Sequence, residues 1–376
     1  MFIQSVALHN FRNYESLLVE FSPNVNVFIG KNAQGKTNLL EAFFVLALAR
    51  SHRTTDDKDL IRWDQDFAKI NAKVVKELGN EKLELVVSKA GKRARINKLE
   101  QKKLSNYVGN LNIVLFAPED LNLIKGNPTQ RRRFLDMEIG QISRSYLANF
   151  SQFKKILRQR NNYLKQLQKR KTDDKIYLDV LTEQLAKLGT EIIVERQSFL
   201  KKLEAYMQKV HIGLTNNEEA LRITYLTTSF DDSLTEKNDI YENLKANYQQ
   251  NYDKEIRAGT TLFGPQRDDI AFLINNHNVA DFGSQGQQRT VVLSIKLAEV
   301  ELIKGVIGDY PVLLLDDVLS ELDEIRQTKL LKAIEDNIQT FITTTSIEGI
   351  NREIVKNPKI YNVENGQIVK KLEEGR

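Results

Sequence analysis

Residues 28–43 read FIGKNAQGKTNLLEAF, and Gly30 to Thr37 fit the pattern G-x-x-x-x-G-K-T. Few short patterns restrict a fold so strongly, because this loop works only between a strand and a helix. Val25, Val27, Phe28 and Ile29 predict a buried strand before it. Asn38 to Leu48 contains no breaker and predicts a helix after it. In that setting the glycines let backbone approach an anion closely, and successive N–H groups and the helix start face it. Gly30, Lys31, Asn32, Ala33, Gln34, Gly35, Lys36 and Thr37 are therefore candidate ligands of ATP or GTP phosphates. Lys36 is a candidate catalytic residue that reaches the terminal phosphates, and the Thr37 hydroxyl is a candidate Mg²⁺ ligand.

A nucleoside triphosphatase also needs a carboxylate near the metal. Val312 to Leu315 is an unbroken aliphatic run followed by Asp316 and Asp317. Such a run suits a strand buried on both faces of a parallel sheet. Its carboxyl end then lies where open α/β sheets place their ligands. Asp316 is the candidate metal carboxylate, and Asp317 is the candidate catalytic base that orients water. The expected fold class is α/β.

The remaining composition narrows the setting. The chain has 376 residues, enough for more than one domain, and its 41% hydrophobic and 28% charged content argues against extended disorder. It has no cysteine, which excludes a disulfide scaffold. MFIQSVALHNF does not read as a signal peptide, and the longest apolar run, 42–49, is too short to span a bilayer. The simplest expectation is a soluble cytoplasmic protein without a membrane partner. Net charge is only +5, but the cations are clustered. Residues 139–172 hold nine Lys or Arg and no acid, residues 89–103 hold seven with one acid, and Arg131 to Arg133 are consecutive. Such blocks suit phosphate neutralisation on DNA, although most charge runs are solvated surface.

Apolar spacings of three, four and seven over residues 145–210 predict an antiparallel pair of long helices, divided by the polar stretch 169–175. The span 231–253 is polar and compatible with a helix and a loop. Alternation between Asn71 and Val114 predicts antiparallel strands laid on the nucleotide core. The expected organisation is a first head part at 1–135, a helical lobe at 136–255, and a second head part at 256–376.

A third segment, DFGSQGQQRT at 281–290, places Ser and Gly just before a helical pattern that begins at Val291. Alone it reads as ordinary capping. Together, GKNAQGKT, FGSQGQQR and LLLDDVLSELD resemble the Walker A, signature and Walker B/D-loop motifs of ABC-type ATPases. LHNFRNYESLLVEF resembles the opening strands of the RecF, Rad50 and SMC group. FAPEDLNLIKGNPTQRRRFLD and GPQRDD are similar to stretches of the RecF family. The resemblance spans nearly the whole chain.

It implies an ABC-type head with an inserted helical lobe. It implies ATP and Mg²⁺ at Gly30 to Thr37, with Asp316 and Asp317 serving metal and water. Ser284, Gly286 and Gln287 would meet ATP held by a second subunit, so that ATP drives formation of a homodimer. Ser320 and Asp323 would lie at that interface, with Arg12 near the nucleotide. The implied role is slow, DNA-dependent ATP hydrolysis as a release switch on single-stranded, duplex and gapped DNA. In recombinational repair and replication, RecO and RecR would be partners in loading RecA.

Three departures stand out. Asp317 occupies a position where many ABC ATPases have Glu, so slow turnover is expected. His277 is the last histidine, so no switch histidine follows the strand near 339–344; Thr344 or Thr345 is the alternative phosphate sensor. Gln266 stands where the RecF family has His. Competing readings are a transporter-type ABC subunit, argued against by the missing histidine, and an SMC-type tether, argued against by the short helices.

Overall fold

The structure is a computed structural model that describes residues 1–77, 79–170, 174–215, 218–229, 234–333, 338–346 and 357–369. The chain forms two compact units, one of 1–121 with 289–376 and the other of 122–288. The first unit begins with β1 (Phe2–Phe11), β2 (Tyr14–Glu20), β3 (Val25–Ile29), α1 (Lys36–Leu48), β4 (Phe67–Lys76), β5 (Gly79–Ser88), β6 (Gly91–Ile96), β7 (Leu99–Glu100) and β8 (Ile113–Phe116). The second contains α2 (Asn122–Lys125), α3 (Pro128–Ile142), α4 (Arg144–Gln168), α5 (Lys175–Thr215), β9 (Leu221–Leu226), α6 (Lys237–Gln250), α7 (Tyr252–Ala258), β10 (Asp269–Ile274), β11 (His277–Asn278) and α8 (Val279–Phe282). Helix α9 (Gln285–Ile307) leads back to the first unit, followed by β12 (Val312–Asp316), α10 (Glu324–Ala333), β13 (Thr340–Thr344), β14 (Lys359–Glu364) and β15 (Gln367–Val369).

Two six-stranded sheets build the first unit. One is antiparallel in the order β2-β1-β4-β5-β6-β7. The other runs β15-β14-β3-β13-β12-β8, parallel except at β15. Strand β12 is buried throughout, as its aliphatic run requires. Residues 113–114, read as the end of the antiparallel set, instead open β8 and pair in parallel with β12. The four buried residues of β8, IVLF, carry no alternation, which separates it from the half-exposed strands before it.

Helix α1 packs against β12, β13 and β8 of one sheet and β4 and β5 of the other. That placement explains why eleven of its thirteen residues are buried. Below it, Phe43 lies 4.6 Å from Phe341, and Phe21 meets Phe28, Phe43 and Phe341 edge-on. Aromatic pairs of this geometry contribute about 0.5–1.5 kcal/mol each beyond area burial. They fix the root of the loop between β3 and α1.

In the second unit, Tyr146 meets Arg196 and Arg160 meets Thr182, so α4 and α5 run antiparallel as their apolar spacings predict. The polar break falls partly at 171–173, outside the described residues. Arg160 is fully buried, 2.7 Å from the equally buried Glu255. One cation of the 139–172 block is therefore core rather than surface. The span 231–253 yields α6 and the start of α7, with 231–233 outside the described residues. The unit extends beyond 136–255 at both ends, because α3 packs on α4, α5 and β10, and β9 pairs with β10.

Candidate functional site

Gly35 adopts φ +113°, a conformation that calls for glycine, and a Cβ there would stand 2.6 Å from Asn13 Nδ2 and push that side chain aside. Gly35 also offers no side chain to cap α1, and the first turn contains no acid. The N–H groups at that helix start are therefore suited to an anion. Neighbouring segments brace the loop. Tyr14 Oη donates to Gly35 O at 3.1 Å, Asn13 Nδ2 to Gln34 O at 3.3 Å, and Gly366 N to Gln34 O at 3.0 Å. Asn365 N donates to Gln34 Oε1 at 2.8 Å. Lys36 is 7% exposed and donates to the carbonyls of Gly30 and Lys31. Burial pushes its pKa down, while Asp317 and Asp316 oppose that shift.

The register of the parallel sheet sets Phe28, Thr343 and Asp316 side by side, so three strand ends meet at one edge. Thr37 Oγ1 donates to Asp316 Oδ1 at 3.0 Å, and Thr343 Oγ1 donates to the same oxygen at 2.8 Å. Asp316 is buried; burial raises its pKa and the two hydroxyls lower it. Asp317 follows with φ +54°, its N–H bonded to Thr343 Oγ1 at 2.9 Å. The structure thus brings together Lys36, Thr37, Asp316 and Asp317, four residues named from sequence. It adds Thr343. Thr344, one of the two sensor candidates, donates its hydroxyl to Ser346 O instead.

Sequence reading missed a second cluster. Glu41 is completely buried in α1 and receives both Nε and Nη2 of Arg12 at 2.8 Å. Arg53 Nη1 adds a contact at 3.3 Å, and Ser51 Oγ donates as well. Burial raises the Glu41 pKa, but these donors together hold its carboxyl below the usual range. The lone acid in LLEAFF was the available signal, since a carboxylate in an apolar helix needs buried partners. Beside it opens a cleft of about 790 Å³ lined by Arg12, Asn13, Asn38, Arg53, Arg62 and Trp63, among others. Trp63 is 89% exposed there. No spacing pattern marks these residues; chain folding alone assembles them.

Ser284, Gly286 and Gln287 lie within the span of the second unit. Ser284 N donates to Gln287 Oε1 at 2.8 Å, and Gln287 N to Ser284 Oγ at 3.1 Å, a capping box at the start of α9. Ser320 Oγ donates to Asp317 O at 2.7 Å, linking the segment after β12 to the carboxylate pair. Asp323 accepts from Arg326, whose guanidinium also reaches Thr290 Oγ1 in α9. In GPQRDD, Gln266 closes a local turn by donating to Phe263 O.

A glycine loop on β3, a paired carboxylate on β12 and an inserted helical unit define an ABC-type ATPase head. The sequence profile described as the RecF/RecN/SMC N terminal domain matches residues 2–369. The chain is 52% identical over 375 residues to the DNA replication and repair protein RecF of Latilactobacillus sakei subsp. sakei, covering 100% of both chains. It is 54% identical over 373 residues to the protein of that name from Listeria monocytogenes serotype 4b, covering 98% of this chain and 100% of the relative. Among solved structures, the recombination mediator protein RecF-ATP in the RecFOR pathway aligns at a TM-score of 0.92 and 33% identity, over 99% of this chain and 98% of that one. An SMC head bound to the C-winged helix domain of ScpA shares the fold at a TM-score of 0.54 and 14% identity. The chain belongs to the RecF family.

Proposed function

We propose that this chain is an ATP-dependent DNA-binding protein of replication and recombinational repair. ATP closes a homodimer on gapped duplex DNA, and slow hydrolysis releases it. The observation that carries this reading is the convergence of Thr37, Thr343 and Asp316 at the carboxyl edge of the parallel sheet, beside a braced glycine loop. Gly30 to Thr37 cradle the phosphates. Arg12, Asn13, Arg53 and Trp63 offer the neighbouring cleft to the nucleoside.

The oxygens of Thr37 and Asp316 fit Mg²⁺, a hard cation that takes one or two protein oxygens and completes its shell with phosphate and water. Among the described residues no group of three or more His, Cys, Asp or Glu could hold a metal alone, and such a site does not need one. When bound, the ion neutralises charge on the β- and γ-phosphates. Lys36 stabilises the terminal phosphate. Asp317 orients the attacking water and accepts its proton. Asp being one methylene shorter than Glu favours slow turnover, as a switch needs.

Ser284, Gly286 and Gln287 approach the γ-phosphate held by a second copy, and Ser320 and Asp323 line the same interface. ATP then contributes binding energy chiefly in the closed state. DNA engages the exposed face of α4 and its C-terminal cap, where Lys155, Arg158 and Lys165 on the helix and Lys169 at the cap follow one another at helical spacing. Among the described residues none of these four has a carboxylate partner. RecO and RecR are the proposed partners in loading RecA, by kinship with proteins of the RecFOR pathway. Among the described residues no helix is long and apolar enough to cross a membrane. A cytoplasmic location belongs to the same reading.

Fluorescence anisotropy on gapped duplex DNA, with and without ATP and Mg²⁺, tests the proposal. Binding should require ATP and vanish in Lys36→Ala. Equal binding without nucleotide would refute the switch.

A further inference from the structure

The turn that starts α9 is anchored by a carboxylate far away in sequence. Gln287 Nε2 donates to Glu219 Oε1 at 2.8 Å, while Gln287 Oε1 accepts from Ser284 N. The other oxygen of Glu219 lies 3.1 Å from His211 Nε2. His211 is fully buried near the end of α5, the 41-residue helix. Glu219 itself is held in place from both sides. Ala220 N donates to Asn275 Oδ1 at 3.0 Å, and Asn275 N returns a bond to Ala220 O at 3.0 Å. Just before it, Glu218 N bonds Thr215 O at 3.2 Å, at the last residue of α5. One carboxylate thus spans from the long helix to the side chain that fixes Ser284.

We infer that Glu219 is a positioning residue for the signature turn, tying Ser284 and Gln287 to the end of α5 through His211. The chemistry suits the task. Gln287 must present one amide oxygen to Ser284 N, which leaves its NH₂ group in need of an acceptor. A carboxylate with two oxygens serves that group and the imidazole together. A side chain that is 19% exposed does this without the desolvation a deeply buried charge would suffer. The inference rests on the reading that Ser284 and Gln287 meet ATP on a second copy. It adds that the helical unit holds them in the geometry to do so.

The test uses the full chain with Glu219→Ala and Glu219→Gln. Glutamine can accept from Gln287 with its Oε1, and its NH₂ group can donate to His211 Nε2 once the imidazole carries its proton on Nδ1, so both contacts can re-form with the second one reversed. Amide hydrogen exchange over residues 283–289 reads the turn directly, sedimentation velocity reads ATP-dependent dimerisation, and equilibrium dialysis of dilute protein reads ATP binding by single protomers. In Glu219→Ala, exchange over that turn should rise about tenfold, and the dimer should weaken by about the same factor, as loss of a charge-assisted bond predicts. ATP affinity of the protomer should stay within about twofold. Glu219→Gln should match wild type within about threefold. Wild-type exchange and dimerisation in Glu219→Ala would overturn the inference, as would Glu219→Gln failing as badly as alanine. Absence of ATP-dependent dimers in the wild type would instead overturn the shared-site reading, and hydrogen exchange would still judge the tether.

Discussion

Lys36 is buried among loop carbonyls and near two carboxylates, so its charge matters more than its bulk. Lys36→Ala should reduce ATP turnover at least a hundredfold in a coupled phosphate assay, while the circular-dichroism spectrum stays unchanged. Glu41 makes a different point. Its folded pKa lies below its unfolded value, so its contribution to stability is present above the unfolded pKa, about 4.3, and is lost as pH falls through the lower folded value. Glu41→Gln should destabilise the fold at neutral pH by about 2 kcal/mol in urea unfolding. It should also flatten the acid limb of the stability curve. Sequence made the first of these residues legible and half-concealed the second. The loop lysine announces itself by spacing. Glu41 announces only that it needs partners, and Arg12, Ser51 and Arg53 arrive from three separate segments.

At the level of elements, periodicity was a good guide where burial is one-sided. The two long helices read clearly for that reason, and β12 did so through its unbroken aliphatic run beside two acids. Strand β8 did not, because a four-residue run buried on every side carries no period. The cation count misled in one place as well: Arg160 pairs with Glu255 inside the second unit, where neither side chain is exposed. Removing one partner of such a pair leaves a buried charge, so Glu255→Ala should cost about 3–5 kcal/mol by denaturant unfolding. On the outer face of α4, reversing Lys155, Arg158 and Lys165 to Glu should leave stability nearly unchanged. The same change should lower the salt slope of DNA binding by about 0.9 for each phosphate that the protein no longer neutralises. An unchanged slope would place the DNA elsewhere.

For the whole molecule, the signature residues and the phosphate loop belong to different compact units, a division that chain order alone does not reveal. Ser284→Arg should abolish ATP-dependent dimers in sedimentation experiments while protomers keep their ATP affinity, because the change adds bulk and removes the α9 cap where a second copy is proposed to dock, outside the protomer's own phosphate loop.

The order of strands in the parallel sheet has a consequence for how the protein is made. Strand β3, which carries the loop, is flanked by β13 and β14, and the turn at Asn365 and Gly366 closes over Gln34. The loop's sequence is made first, and the neighbours that shape it follow about 300 residues later. Until then the apolar faces of β3 and α1 have no parallel sheet to join. The nascent chain must shelter them for about 300 residues of elongation, or about 15–60 seconds at usual translation rates. ATP binding competence should therefore appear abruptly as β13 and β14 leave the exit tunnel.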